Sequence, residues 1–334
     1  RKDLKQRYTA KCVSAHQALS KIRSGSRVFL GSGCAEPQHL LNTLVELGSQ
    51  GGLLHDVEIV SMLTFGTAYQ MTKECERHFR HNSFFVGPGV REAVCEGWAD
   101  YTPIFLSEIP TLLKKGRMPL DVALVQVSPP DRYGFCSFGV SVEAHHAAVA
   151  AADYVVAQVN PQMPRTHGDT FVHIDHFDAI VEHEEPLLEV TPAKPDETAS
   201  AIAKHISRLV EDGSTIQVGI GAIPNAVLQY LTDKKDLGVH TEMFTDGLID
   251  LIEAGVVNNS RKTFHPGKVL ASFCIGTRRL YDYIDRNPMF EDGGDQHRAG
   301  GRHHRPGLCR LHRPSHLQRH WGSGRLHPGR RLGA

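Results

Sequence analysis

The sequence has no excess charge of either sign, no long apolar run and no closely paired cysteines, and each absence removes a class of function. Lys plus Arg and Asp plus Glu both number 37, so no global field draws the chain to nucleic acid. No stretch approaches the roughly 20 consecutive apolar residues of a membrane-spanning helix. The seven cysteines (Cys12, Cys34, Cys75, Cys95, Cys136, Cys274 and Cys309) include no Cys-x-x-Cys pair. That speaks against a zinc site and a disulfide framework, fits a reducing compartment, and makes each cysteine a small core residue before a nucleophile. The first residue is Arg1 and not Met, which leaves room for a targeting segment upstream. What is present is ordinary: 334 residues, 40% hydrophobic and 22% charged, enough for one large or two average soluble domains.

Short apolar runs bounded by Gly, Pro or Asn recur at 27–30, 57–60, 121–127, 154–159, 215–220 and 269–274. Several are apolar throughout, as strands covered on both faces are. Helical patterns at 141–152 and 197–209 lie between them. This alternation predicts a mainly parallel, layered α/β sheet. A polar passage at 182–198 with Pro186, Pro192 and Pro195 divides the series, so the expected domains are 1–190 and 191–291.

Residues 292–334 are a different kind of sequence. They hold nine Arg, seven His and nine Gly against two Asp, a formal +7, and no Val, Ile, Phe, Tyr, Thr, Lys, Glu or Asn. Such a composition predicts disorder and no core strand.

Two motifs carry chemistry. In the first, Gln217-Val218-Gly219-Ile220-Gly221-Ala222-Ile223-Pro224-Asn225-Ala226, a buried strand runs into a Gly-x-Gly turn and a helix. Such a turn lets backbone approach a ligand and offers helix N–H groups to a phosphate or an oxyanion, although it also serves as a plain tight connection. The second is His240-Thr241-Glu242-Met243-Phe244-Thr245-Asp246-Gly247. Glu242, at a strand end, could be a nucleophile, base or ligand, or simply a loop carboxylate or helix cap. His145-His146 and His173-Ile174-Asp175-His176 hint weakly at a metal, and Ser137 and Ser141 lack the Gly-x-Ser-x-Gly setting of a hydrolase serine.

The two motifs in this order resemble the 4-hydroxybutyrate/acetate CoA-transferase (acetyl-CoA hydrolase/transferase) family. The likeness extends to Phe84-Phe85-Val86-Gly87, to the run from Ala99 to Pro110, to Ser128-Pro129-Pro130-Asp131, to Gln158-Val159-Asn160-Pro161 and to Phe273 through Gly276. It covers roughly residues 1–290, with Trp98 standing where the family usually has Arg. It implies two open α/β CoA-transferase-type domains, the second truncated here, with the active site in the cleft between them. It further implies that Glu242 forms a glutamyl-CoA thioester, that Gly219, Ile220, Gly221, Ala222 and Ile223 form the CoA-binding loop, and that Gln217 contacts substrate. The expected partners are an acyl-CoA and a short-chain carboxylate. Coenzyme A is a substrate, and no cofactor, metal, nucleic acid or membrane is needed. A homo-oligomer in the cytoplasm, or in the mitochondrial matrix of a eukaryote, completes the expectation. Acyl-CoA hydrolysis on the same scaffold and a catalytically dead truncated relative stay open.

After Phe290 the family's motifs stop. Suitable GC-rich codons for its Asn-Thr-Ala-Leu, Thr-Gly-Gln-Val-Cys-Ala-Asp and Ser-Gly-Ile-Gly-Gly-Gln segments, read one nucleotide out of frame, give Gln296 to Ala299, His304 to Arg310 and Gln318 to Ser323. The tail therefore reads as an out-of-frame copy of the family's C-terminal part. It lacks the Gly-Ile-Gly-Gly-Gln loop that closes over the thioester, and the chain as written is expected to be poorly folded beyond Phe290 and nearly inactive. Genomic DNA past the Phe290 codon is expected to hold those three segments in a neighbouring frame; a read without them excludes the shift.

Overall fold

The computed structural model describes residues 2–49, 54–66, 75–192, 194–219, 221–293 and 308–311. Ten strands belong to the first part of the chain: β1 (Arg27–Leu30), β2 (Val57–Ser61), β3 (Phe79–Ser83), β4 (Ala99–Tyr101), β5 (Leu120–Val127), β6 (Phe135–Ser137), β7 (Ala152–Val159), β8 (His167–Gly168), β9 (Phe171–His173) and β10 (Ala179–Glu182). Seven of them form one all-parallel sheet in the order β10-β7-β5-β1-β2-β3-β4. In β5 every residue but Asp121 is buried, because helices cover both faces of a central parallel strand.

The chain walks outward from β1 to β4, then returns to β5 on the other side of β1. That reversal is the switch point at which open α/β sheets leave a crevice beyond their strand ends. β6 and β9 pair antiparallel beside the sheet.

The second part contributes β11 (Thr215–Val218), β12 (Gly238–Val239), β13 (Met243–Phe244), β14 (Val269–Ala271), β15 (Phe273–Cys274), β16 (Phe290–Asp292) and β17 (Leu308–Leu311). β11 lies parallel between β12 and β17, and β13 pairs with β15. β16 is shared: it pairs with β14 on one side and with β8, from the first part, on the other. One apolar cluster accordingly runs from Phe29 and Val125 through Phe138 to Val218, Phe244 and Phe290.

Local chemistry sets the helix ends. Ser14 and Gln17 form a reciprocal capping box at Ala15–Leu19, and the Asp196 carboxylate accepts from Ala199 N–H at the head of Glu197–Ser207. Among the described residues no helix is long and apolar enough to cross a membrane.

Four expectations need correction. The strand expected over 215–220 ends at Val218, and 269–274 is two strands broken at Ser272. The helix expected over 141–152 begins at His145, because Ser141 is held in an antiparallel bridge to Phe273. Nor is the compositionally odd tail free of strands. Asp292 completes β16, and Leu308–Leu311 lies along β11. Ladder bonds use main-chain groups, so an open strand edge accepts a segment poor in β-branched residues. The other residues of 294–334, with most of the region expected to be disordered, lie outside the described residues.

The Phe244 ring is fully buried, with its centroid 5.1 Å from Phe290 and 6.2 Å from Tyr283. Phe244→Ala should cost about 3–5 kcal/mol, read as a lower urea midpoint with an unchanged slope.

Candidate active site

The two sequence motifs meet through one hydroxyl. Thr241 is buried, and its Oγ1 accepts from the N–H of Val218 at 3.0 Å, while its proton lies between the carbonyls of Val218 (3.0 Å) and Met243 (3.1 Å). The His240 N–H donates to Ile216 at 3.1 Å. The residue before Glu242 is thus tied to the last residue of β11, immediately before Gly219. Gln217 lies half-buried in β11, and Gly219, Ala222 and Ile223 are likewise half-buried around the turn. Gly221 has φ 120° and heads the Ala222–Gln229 helix; side chains rarely tolerate that conformation. The Thr241–Val218 bonds bring the segment that bears Glu242 alongside the end of β11, which holds Gln217 and runs on into Gly219, Gly221, Ala222 and Ile223. Ile220 lies outside the described residues.

Glu242 itself joins β12 to β13. Its carbonyl accepts from the N–H groups of Ser272 (3.0 Å) and Phe273 (3.1 Å), which fixes the backbone from which the side chain leaves. Burial raises its carboxyl above the usual carboxylate range. The end of the motif is structural. The Asp246 carboxylate accepts from Thr277 N–H (3.0 Å) and its hydroxyl (2.6 Å), and a Cβ on Gly276 would fall 2.2 Å from Asp246 Oδ2.

The facing wall comes from the first part of the chain. The Cys274 N–H donates to Val140 (2.7 Å) and the Val142 N–H to Ser272 (3.3 Å). Gly33, in the turn after β1, has φ 63°, and a Cβ there would lie 3.9 Å from Ser141 Oγ. The switch-point turn therefore opens toward Ser141. Ser141 Oγ sits 2.8 and 2.9 Å from the two carboxyl oxygens of Glu143, which is 3% exposed. Burial, with a smaller push from the charge of Glu242, raises the Glu143 carboxyl to about 7. Asp292 is also buried, and desolvation together with the charge of Glu143 pushes it well up. The charge of Glu242 thus acts on Glu143, and that of Glu143 on Asp292.

The sequence reading missed Glu143 and Asp292. For Glu143 the available signal was a lone carboxylate in a stretch, 138–152, made mostly of Ala, Val and Gly beside the His145–His146 pair, where an unpaired charge is costly.

The histidine pairs have other partners. His145 is fully buried against Phe29 and Phe138, and burial lowers it to about 3. His146 Nε2 meets the Asp169 carbonyl at 2.9 Å, and His173 Nδ1 accepts from the Asp175 N–H at 3.2 Å. No group of three or more metal-binding side chains occurs among the described residues. Ser137 hydrogen-bonds Thr170 at 3.1 Å, and Trp98 packs partly buried against the apolar cluster under β1 and β2.

Residues 1–192 match the family model for the acetyl-CoA hydrolase/transferase N-terminal domain. The chain belongs to this family. It is 48% identical over 284 residues to the 4-hydroxybutyrate coenzyme A transferase of Clostridium kluyveri, covering 85% of this chain and 66% of that protein. It is 44% identical to the succinyl-CoA:acetate/propanoyl-CoA:succinate CoA transferase of Fasciola hepatica, covering 81% and 56%. The chain thus spans two thirds or less of the length of these relatives. Among solved structures it superposes on 4-hydroxybutyrate CoA-transferase from Porphyromonas gingivalis with a TM-score of 0.76 and 36% identity, covering 87% of this chain and 69% of that one. On RipA from Yersinia pestis the TM-score is 0.81 at 32% identity, covering 88% and 70%. These likenesses make the mixed α/β architecture with its large parallel sheet that of CoA-transferases.

Glu143 couples stability to pH. Its carboxyl keeps a proton in the folded state up to about 7, against an ordinary value of 4.5, so the folded state binds more protons between those values. Its contribution is fully present below 4.5 and falls by about 3 kcal/mol as pH rises through 7. Urea unfolding at several pH values should show this decline, and Glu143→Gln should remove it.

Proposed function

We propose that this protein is a CoA-transferase that moves CoA between a short-chain acyl-CoA and acetate or another carboxylic acid, with Glu242 as covalent nucleophile. The observation that carries the reading is the Thr241 bridge, which ties the residue before Glu242, a carboxyl that burial raises, to the residue before Gly219. The activities named for the relatives support the substrate class.

Four steps follow. The Glu242 carboxylate attacks the thioester carbonyl, and the tetrahedral adduct expels CoA thiolate, leaving a mixed acyl-glutamyl anhydride. The thiolate attacks the glutamyl carbonyl, releasing the first acid and forming the glutamyl-CoA thioester. A second carboxylate attacks that thioester and expels the thiolate, which then takes the new acyl group and frees Glu242. Each acyl bond broken is matched by one formed, so neither ATP nor metal enters the balance. In this reading Gly219, Ile220, Gly221, Ala222 and Ile223 receive CoA, with the helix N–H groups after Gly221 directed to its phosphates. Gln217 donates to the reacting carbonyl. Partial burial makes Glu242 a stronger nucleophile than a hydrated carboxylate, and CoA contacts remote from the reaction supply much of the rate.

Butyryl-CoA incubated with labelled acetate tests the reading, using the chain as written beside one with the frame restored after Phe290. Label is expected in acetyl-CoA and should vanish in Glu242→Gln. Free CoA without label would make the protein a hydrolase, and neither product from either chain would make it a CoA-binding relic.

A further inference from the structure

We infer that Glu36 is a positioning residue: it clamps the loop after β2 to the turn after β1, and so shapes the wall that meets the acyl group. For its kinetic consequence, though not for the clamp itself, the inference rests on the transferase reading.

Glu36 closes the turn that follows β1 and is wholly buried. A carboxylate taken out of water needs hydrogen-bond donors, and three point at this one. Its Oε2 accepts from the N–H groups of Phe65 (3.2 Å) and Gly66 (3.3 Å), and its Oε1 from the Gln38 amide (2.9 Å). Gly66 fits closely. A Cβ there would lie 2.4 Å from Glu36 Oε1 and 2.5 Å from Gln38 Nε2, so the carboxylate itself excludes a side chain.

Further bonds run between the same two segments. Ser32 Oγ accepts from the Met62 N–H at 3.1 Å, and the Leu63 carbonyl from the Gly33 N–H at 2.7 Å. Leu63 also reaches a third strand end, because a Cβ on Gly87 would fall 2.8 Å from its Cδ1. Glu36 secures the far end of the loop, and its own carbonyl is held by the Gln126 amide of β5 at 3.1 Å. The two loops of the switch point are thus fastened at both ends of their contact.

The fastened loops face the reaction. Gly33 opens toward Ser141, whose bridge to Phe273 leads to the Glu242 carbonyl. Ligands of open α/β sheets bind in such a crevice, beyond the strand ends at the switch point. The CoA phosphates belong, in the transferase reading, to the Gly219–Gly221 turn in the other half. The acyl group is then the part of the substrate left for this wall. A loosened wall misaligns the thioester carbonyl with Glu242, and small misplacements cost rate even when they start far from the chemistry.

Amide hydrogen exchange tests the clamp without turnover. The Phe65 and Gly66 N–H groups should exchange about ten-fold faster in Glu36→Ala, with exchange in β5 and β7 unchanged. Glu36→Gln keeps an oxygen for both N–H groups and should restore most of the protection. Gly66→Ala keeps Glu36 but should displace its carboxylate and expose Phe65 N–H, so the test does not depend on one substitution folding. Equal exchange in the parent and in Glu36→Ala overturns the clamp.

Mass spectrometry of the CoA thioester formed on Glu242 reads the positioning role, in the chain as written and in the one with its frame restored. From butyryl-CoA, Glu36→Ala and Gly66→Ala should lower the maximal rate about ten-fold at an unchanged half-saturating concentration. From acetyl-CoA, whose single methyl makes little contact with the wall, the loss should be about two-fold. Glu36→Gln should recover most of the butyryl rate. A merely structural role would lower both rates alike through loss of folded protein, so equal losses for the two substrates overturn the positioning role. No thioester from the parent with either substrate, while the exchange pattern holds, overturns the transferase reading and the kinetic role with it, and leaves the clamp standing.

Discussion

The pair of hydrogen bonds between the Thr241 hydroxyl and the peptide of Val218 is the constraint on which the site depends. It joins points 23 residues apart, each at a strand end. A threonine does this better than a longer side chain, because a β-branched residue has few χ1 states to lose. Through it the nucleophile loop inherits the rigidity of β11, which is paired on both edges. It carries the β11–β12 pairing, and the bond from His240 to Ile216, on to the start of the turn.

The second theme is negative charge with little to offset it. Lys262, the one buried cation among the described residues of this half, is spent on the carbonyls of Val239 and Lys268. The N–H groups of Ser272 and Phe273 go to the Glu242 carbonyl, and the Thr241 hydroxyl to main-chain carbonyls. A neighbouring lysine or arginine would stabilise the carboxylate and blunt its nucleophilicity, whereas desolvation leaves it reactive. The cost is a strained proton balance on the same wall, carried by Glu143 and Asp292.

Much of this was legible in the sequence. Short, mostly apolar runs identified β1, β2, β5 and β7 to within a few residues, because strands covered on both faces need no strict alternation. The Gly-x-Gly turn and the Glu242 motif were legible through resemblance, since spacing left their roles open. Glu143 was hidden for a physical reason. Residues 141–152 have the composition of a helix, but the bridge from Ser141 to Phe273 overrides local preference across some 130 residues of chain. Nor does composition show that Asp246 is a clamp for Thr277; that follows from the close approach at Gly276.

The joining of β8 to β16 has a consequence for synthesis. Gly168, with φ 99°, lies so close to Asp292 that a Cβ there would fall 2.1 Å from the Asp292 carbonyl oxygen. The edge of β8 thus waits for a partner made more than a hundred residues later. At translation rates of roughly 5–20 residues per second, that wait lasts on the order of ten seconds. During it the emerging chain has a complete seven-stranded sheet but an unfinished wall beside its cleft, open to chaperones and to stray strands.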